Sequence, residues 1–136
     1  MPDDDPRGPY EAVLVGTDGS DTATVAVRRA GAIAAACRAR LIIAFVGDAA
    51  VAGALLERAA AAVAAAAPDA DTRVLSGDPA DALLGLAAFE QVALVVVGNV
   101  GMAGAQRFLL GSVPNKISHR AGCDVLVAHT ASVQGG

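Results

Sequence analysis

Val92-Ala93-Leu94-Val95-Val96-Val97-Gly98-Asn99-Val100-Gly101 runs from six unbroken apolar residues into a glycine-bounded turn, and after nine intervening residues stands Gly111-Ser112. The apolar run reads as a strand buried on both faces, and the stretch from Val113 to Arg120 reads as a helix. A glycine loop between a strand and a helix suits an anion. Glycine permits positive φ and close backbone approach, while the unpaired amides and the macrodipole of the following helix favour negative charge. The stretch therefore predicts one βα unit of a parallel α/β sheet, with a phosphate cradle at its carboxyl end.

The rest of the chain repeats that unit. Ala12 to Gly16 reads as the first strand. Ser20 or Asp21 caps a helix to about Ala39, with Val25, Ala26, Ala30, Ile33, Ala34 and Cys37 at helical spacing. Leu41 to Val46 is the second strand; Gly47-Asp48 opens an alanine-rich helix to about Ala67, closed by Pro68. Thr72 to Leu75 is a short third strand, and Ser76-Gly77-Asp78-Pro79 turns into a helix from about Ala80 to Phe89. The fifth strand is Asp124 to His129. With right-handed crossovers this β-α alternation predicts a single-domain, doubly wound, open five-stranded parallel sheet in order 3-2-1-4-5, Rossmann-like, with helices on both faces. The switch point then falls between strands one and four, where the loops after Gly16 and Val97 meet. Residues 10–131 are expected to form the domain, with a mobile leader over 1–9, which holds three prolines and three aspartates, and a flexible tail over 132–136.

Composition limits the function. The 136 residues are 54% apolar with 3% aromatics, material for one core of Val, Leu, Ile and Ala. A net charge of −4, an Asp3-Asp4-Asp5 run and no basic stripe argue against a nucleic-acid binder. The longest alanine run is too short and too weakly hydrophobic for a membrane span, which needs about 18 apolar residues. Cys37 and Cys123 lack metal-ligand spacing and read as reduced thiols in the cytosol, so a cytoplasmic protein without a structural metal is expected.

Two loops carry the chemistry. In Gly16-Thr17-Asp18-Gly19-Ser20-Asp21 the Asp18 carboxylate suits a ribose hydroxyl or a base amine, and equally an Asx-turn that supports the loop. Val46, ending strand two, is a core residue by default and otherwise packs on a base. In the later loop Gly98 and Gly101 bend the chain around a ligand, and Gly111 and Ser112 offer amides and a hydroxyl. Plain turn glycines with Ser112 as an N-cap are the simpler alternative. No Gly-Lys-Ser or Gly-Lys-Thr is present, so this is not a Walker-type loop. Arg107 is the loop's one cation, a phosphate contact or a solvated side chain. So little positive charge favours a singly charged phosphate over a triphosphate. His119 and His129 lie on different elements with no catalytic partner at a fixed offset.

From Tyr10 to Thr130 these residues resemble the universal stress protein family. The resemblance rests on strand one with Gly16-Thr17-Asp18-Gly19-Ser20, the Gly77-Asp78-Pro79 turn, Gly98-x-x-Gly101-x9-Gly111-Ser112 and the Val125-Leu126-Val127 strand, in that order. It implies a dimer that binds adenine nucleotides. By that resemblance Gly16, Thr17, Asp18 and Val46 surround base and ribose. Gly98, Gly101, Gly111, Ser112 and Val113 hold phosphate, with Val97 at the strand end beside them. Val96 to Gly101, Leu110 to Pro114 and Asp124 to Thr130 look most like the actinobacterial branch that binds cyclic AMP. The segment Gly47 to Asp71 is shorter than is common in that branch. The leading expectation is a non-enzymatic module that senses or sequesters cAMP or ATP, with magnesium only alongside ATP. A homodimer is expected through antiparallel pairing of Asp124 to His129, an apolar sheet edge that must be covered. The alternatives are a slow ATPase or phosphotransferase with Asp18 as its base, and a nucleotide-free interaction module.

Overall fold

The computed structural model describes residues 10–98 and 122–129. The glycine loop beyond Gly98, with Gly101, Arg107, Gly111, Ser112 and Val113 and the helix expected from Ser112 to Arg120, lies outside the described residues. So do the expected leader and tail.

Five strands and three helices are described: β1 (Ala12–Thr17), α1 (Asp21–Cys37), β2 (Arg40–Val46), α2 (Ala49–Ala62), β3 (Asp71–Leu75), α3 (Pro79–Phe89), β4 (Leu94–Gly98) and β5 (Asp124–Ala128). All strand pairings are parallel, and the order is β3-β2-β1-β4-β5. The expected topology is therefore the observed one.

Strand alternation builds two cores from one sheet. Val13, Val15, Leu41, Ile43, Phe45, Leu94 and Val96 face α1 and α2, while Leu14, Ile42, Ala44, Val95 and Val97 face α3. Leu14, Ile42 and Ile43 are wholly buried, each contributing about 1.5–3 kcal/mol of apolar transfer. Small residues let the layers close. Gly31 of α1 meets Val63, whose Cγ1 would stand 3.0 Å from a Cβ on that glycine.

The helix starts follow the capping residues. Ser20 rather than Asp21 is the N-cap of α1, its Oγ accepting from Ala23 N at 3.1 Å. Asp48 and Asp78 cap α2 and α3, and Pro79 occupies the first turn, where its missing amide costs nothing. Two ends differ from expectation. α1 stops at Cys37, with Arg38 in the left-handed region (φ 56°) returning its amide to Ala34 and Ala35. α2 stops at Ala62, five residues short of Ala67. Val63 is buried and takes a non-helical φ of −115°, and turn hydrogen bonds carry the chain through Ala67. Anchoring Val63 in the core outweighs the helix propensity of the alanines after it.

Candidate functional site at the sheet switch point

The sheet divides where the sequence placed its switch point. The β1–β4 ladder runs Val13↔Leu94, Leu14↔Val95, Val15↔Val96 and ends there. Beyond it Gly16 and Thr17 pair only with Ala44 and Phe45 of β2, while Val97 and Gly98 pair with Val127 and Ala128 of β5. The last two residues of each central strand thus part company, opening a crevice at the carboxyl end of the sheet.

Asp18 sits at the mouth of this crevice in a turn that its neighbours fix. Gly19 N donates to Thr17 Oγ1 at 3.0 Å, and Ser20 N donates to Asp18 Oδ1 at 2.9 Å. That second bond is the Asx-turn, so the simpler reading of Asp18 holds for one of its oxygens. The other is different. Oδ2 is buried and has no hydrogen-bond partner among the described residues. An unsatisfied buried oxygen of this kind costs about 1–3 kcal/mol, which a donor from a ligand would recover.

The remaining candidates divide by what they touch. Thr17 is buried, and its hydroxyl oxygen accepts the turn bond from Gly19 N. Gly16 faces α3, where Leu83 Cδ1 lies 3.0 Å from the position a Cβ would take, so this glycine serves helix packing. Val46 is half-buried against the α3-side core, and Val97 is buried in the same cluster. Gly98 is the last residue of β4, half-buried and in register with Ala128. Gly16, Thr17, Asp18, Val46, Val97 and Gly98 all stand at the carboxyl ends of β1, β2 and β4.

Sequence reasoning missed Leu83 against Gly16 and Leu55 against Gly19. A Cβ on Gly19, which has φ +85°, would stand 2.8 Å from Leu55 Cδ1 and Cγ. Only the glycines themselves hinted at such close approach.

Carboxylates recur in three of the loops at this end of the sheet. Asp18, Asp48 and Asp78 sit in the loops after β1, β2 and β3, with Asp21 and Asp81 in helix first turns, and no lysine or arginine occurs in those loops or first turns. Among the described residues no group of three His, Cys, Asp or Glu side chains is placed to hold a metal. No described helix is long and apolar enough to cross a membrane.

Known proteins share this architecture. The sequence model of the Universal stress protein family matches residues 9–57 and 47–129, two segments that overlap across the start of α2. The universal stress protein Rv1636 of Mycobacterium tuberculosis is 40% identical over 143 residues, covering 89% of this chain and 97% of that protein. A universal stress protein crystallised in complex with cAMP superposes with a TM-score of 0.80 at 47% identity, covering 90% of this chain and 98% of that one. The crystal structure of Rv1636 gives a TM-score of 0.65 at 46% identity over 90% of this chain and 97% of that one. Sequence, topology and these likenesses agree: the chain belongs to the universal stress protein family.

Proposed function

We propose that this universal stress protein is a cytosolic binding module for an adenine nucleotide, held in the crevice between β1 and β4. The observation that carries the reading is Asp18. Its Oδ1 closes the turn while its Oδ2 is buried without a partner among the described residues, at the point where the central strands diverge. A ribose hydroxyl or an exocyclic amine offers a donor to this oxygen. Val46 and Val97 offer apolar contact beside it.

Charge orients the ligand. Asp18, Asp48 and Asp78 favour the base and ribose on their side and direct phosphate toward the loop that follows Gly98, where Gly101, Arg107, Gly111, Ser112 and Val113 stand in sequence. With Arg107 the one cation between Gly98 and Ser112, a singly charged cyclic phosphate suits this loop better than a triphosphate, so cAMP is the preferred ligand and ATP, with magnesium, the second. That the cAMP-bound relative shares 47% of its sequence supports the same choice. The role is sensing or sequestration, without catalysis. Asp18 spends one oxygen on its own turn, which leaves it poorly suited to act as a general base.

The module is a homodimer through β5. This edge strand carries Val125, Leu126 and Val127 only half-buried, an apolar edge that antiparallel pairing with a second copy would cover. Ligand-dependent melting tests the binding reading. cAMP raises the melting temperature of the wild type and has little effect on Asp18→Asn, which keeps the turn acceptor and loses the carboxylate. Equal shifts in both proteins contradict it.

A further inference from the structure

At the Asp18-Gly19-Ser20 turn Ser20 is held by the start of α1, through Ala23 N and Thr24 Oγ1, while Gly19 rests on two polar contacts within the turn and one apolar contact from elsewhere. The polar ones are the Thr17 hydroxyl and the Asx bond already described. The apolar one comes from α2. Leu55 lies so close to Gly19 that a Cβ would stand 2.8 Å from two of its carbons, and Leu55 is only 9% exposed, part of the core that α1 and α2 form on one face of the sheet.

Gly19 needs such a neighbour. With φ at +85° and no side chain it is the softest link in the turn, free to leave that conformation at little steric cost. Its two flanking residues carry the Asx bond that sets where Oδ2 stands. A shift of Gly19 would break that bond and swing the carboxylate.

We propose that Leu55 is a positioning residue for the ligand. Resting on the nucleotide reading above, the assignment is that its side chain pins Gly19, keeps the Asx bond closed and so presents Asp18 Oδ2 to the crevice. Coupling of this kind is reciprocal. A ligand that engages Asp18 also favours the docked position of α2, so occupancy of the crevice is transmitted to a helix that need not touch the nucleotide.

The test compares Leu55→Val and Leu55→Ala with Leu56→Ala. Leu56 is equally internal to the α2 core, 4% exposed, and is placed in no part of the site. Two quantities are read in each protein: hydrogen exchange of the Ser20 amide, whose bond to Asp18 defines the turn, and the cAMP dissociation constant. Leu55→Val, which removes one methylene, is the informative variant should Leu55→Ala fail to fold. Expected are faster Ser20 exchange and cAMP affinity weakened by about tenfold or more in the Leu55 variants, with Leu56→Ala like wild type in both despite its lower melting temperature. Ser20 exchange in the Leu55 variants indistinguishable from that in Leu56→Ala overturns the proposal, as does unchanged cAMP affinity. Should wild type bind neither cAMP nor ATP, the nucleotide reading fails, and the exchange measurement alone decides whether Leu55 holds the turn.

Discussion

Leu83 of α3 closes directly onto Gly16 of β1: a Cβ on that glycine would stand 3.0 Å from Leu83 Cδ1. Leu83 is 4% exposed in the core between the sheet and α3, so its side chain has little room to yield. Gly16→Val is expected to destabilise by about 1–3 kcal/mol through overpacking. In a Leu83→Ala background the same valine fills vacated space and stabilises. A double-mutant cycle by urea denaturation reads this reversal, and simple additivity contradicts the contact.

Glu90, just past α3, accepts from Arg40 Nη2 at 3.0 Å and from Arg73 Nη2 at 3.0 Å, tying the helix end to β2 and β3. Hydrogen bonds first from Arg40 and then from Arg73 hold its carboxyl below the usual glutamate value. A lowered folded-state pKa means stability that is present above the unfolded value and is lost as pH falls through the folded one. Glu90→Gln should therefore be less stable than wild type near neutral pH and equal to it in strong acid. Denaturation across a pH series checks this, and a pH-independent difference contradicts it.

Three glycines separate backbone need from habit. Gly77 has φ +96° with open space around it, so Gly77→Ala is expected to cost about 1–2 kcal/mol from conformation alone. Gly53 in α2 and Gly85 in α3 also have nothing near a built Cβ, and neither has positive φ. Gly53→Ala and Gly85→Ala should each stabilise by about 0.5–1 kcal/mol. Thermal melting distinguishes the two groups by sign.

The exposed apolar edge of β5 gives an assembly prediction. Sedimentation at micromolar concentration should report a dimer, with the β5 amides protected from exchange beyond what pairing with β4 explains. A monomer contradicts the proposed edge pairing.

The topology was legible because β1, β2, β4 and β5 hold short, nearly continuous apolar runs, even though β3 reads Asp71-Thr72-Arg73-Val74-Leu75, and each described helix opens on Ser20, Asp48 or Asp78. Strand starts were less so. Val92 and Ala93 continue the apolar run of β4 but lie before the strand. Gln91 turns through φ 56°, and Val92 N returns to Ala87 O at the end of α3. The end of α2 was hidden for a similar reason. Alanines past Val63 have high helix propensity, and only the tertiary anchoring of Val63 against Gly31 ends the helix there. At the site, Asp18 was identifiable with two alternative roles, and the structure assigns the turn role to one oxygen. Leu55 and Leu83 were invisible because contact between a helix face and a loop glycine depends on packing that no local pattern encodes.

Asp18 as a ligand-facing carboxylate is tested most directly by isothermal titration of nucleotide-free protein with cAMP. Saturable heat with wild type, weakened by about tenfold or more in Asp18→Asn, is the predicted result. No heat from wild type with cAMP or ATP at high micromolar concentration, or equal affinity in the two proteins, would contradict it.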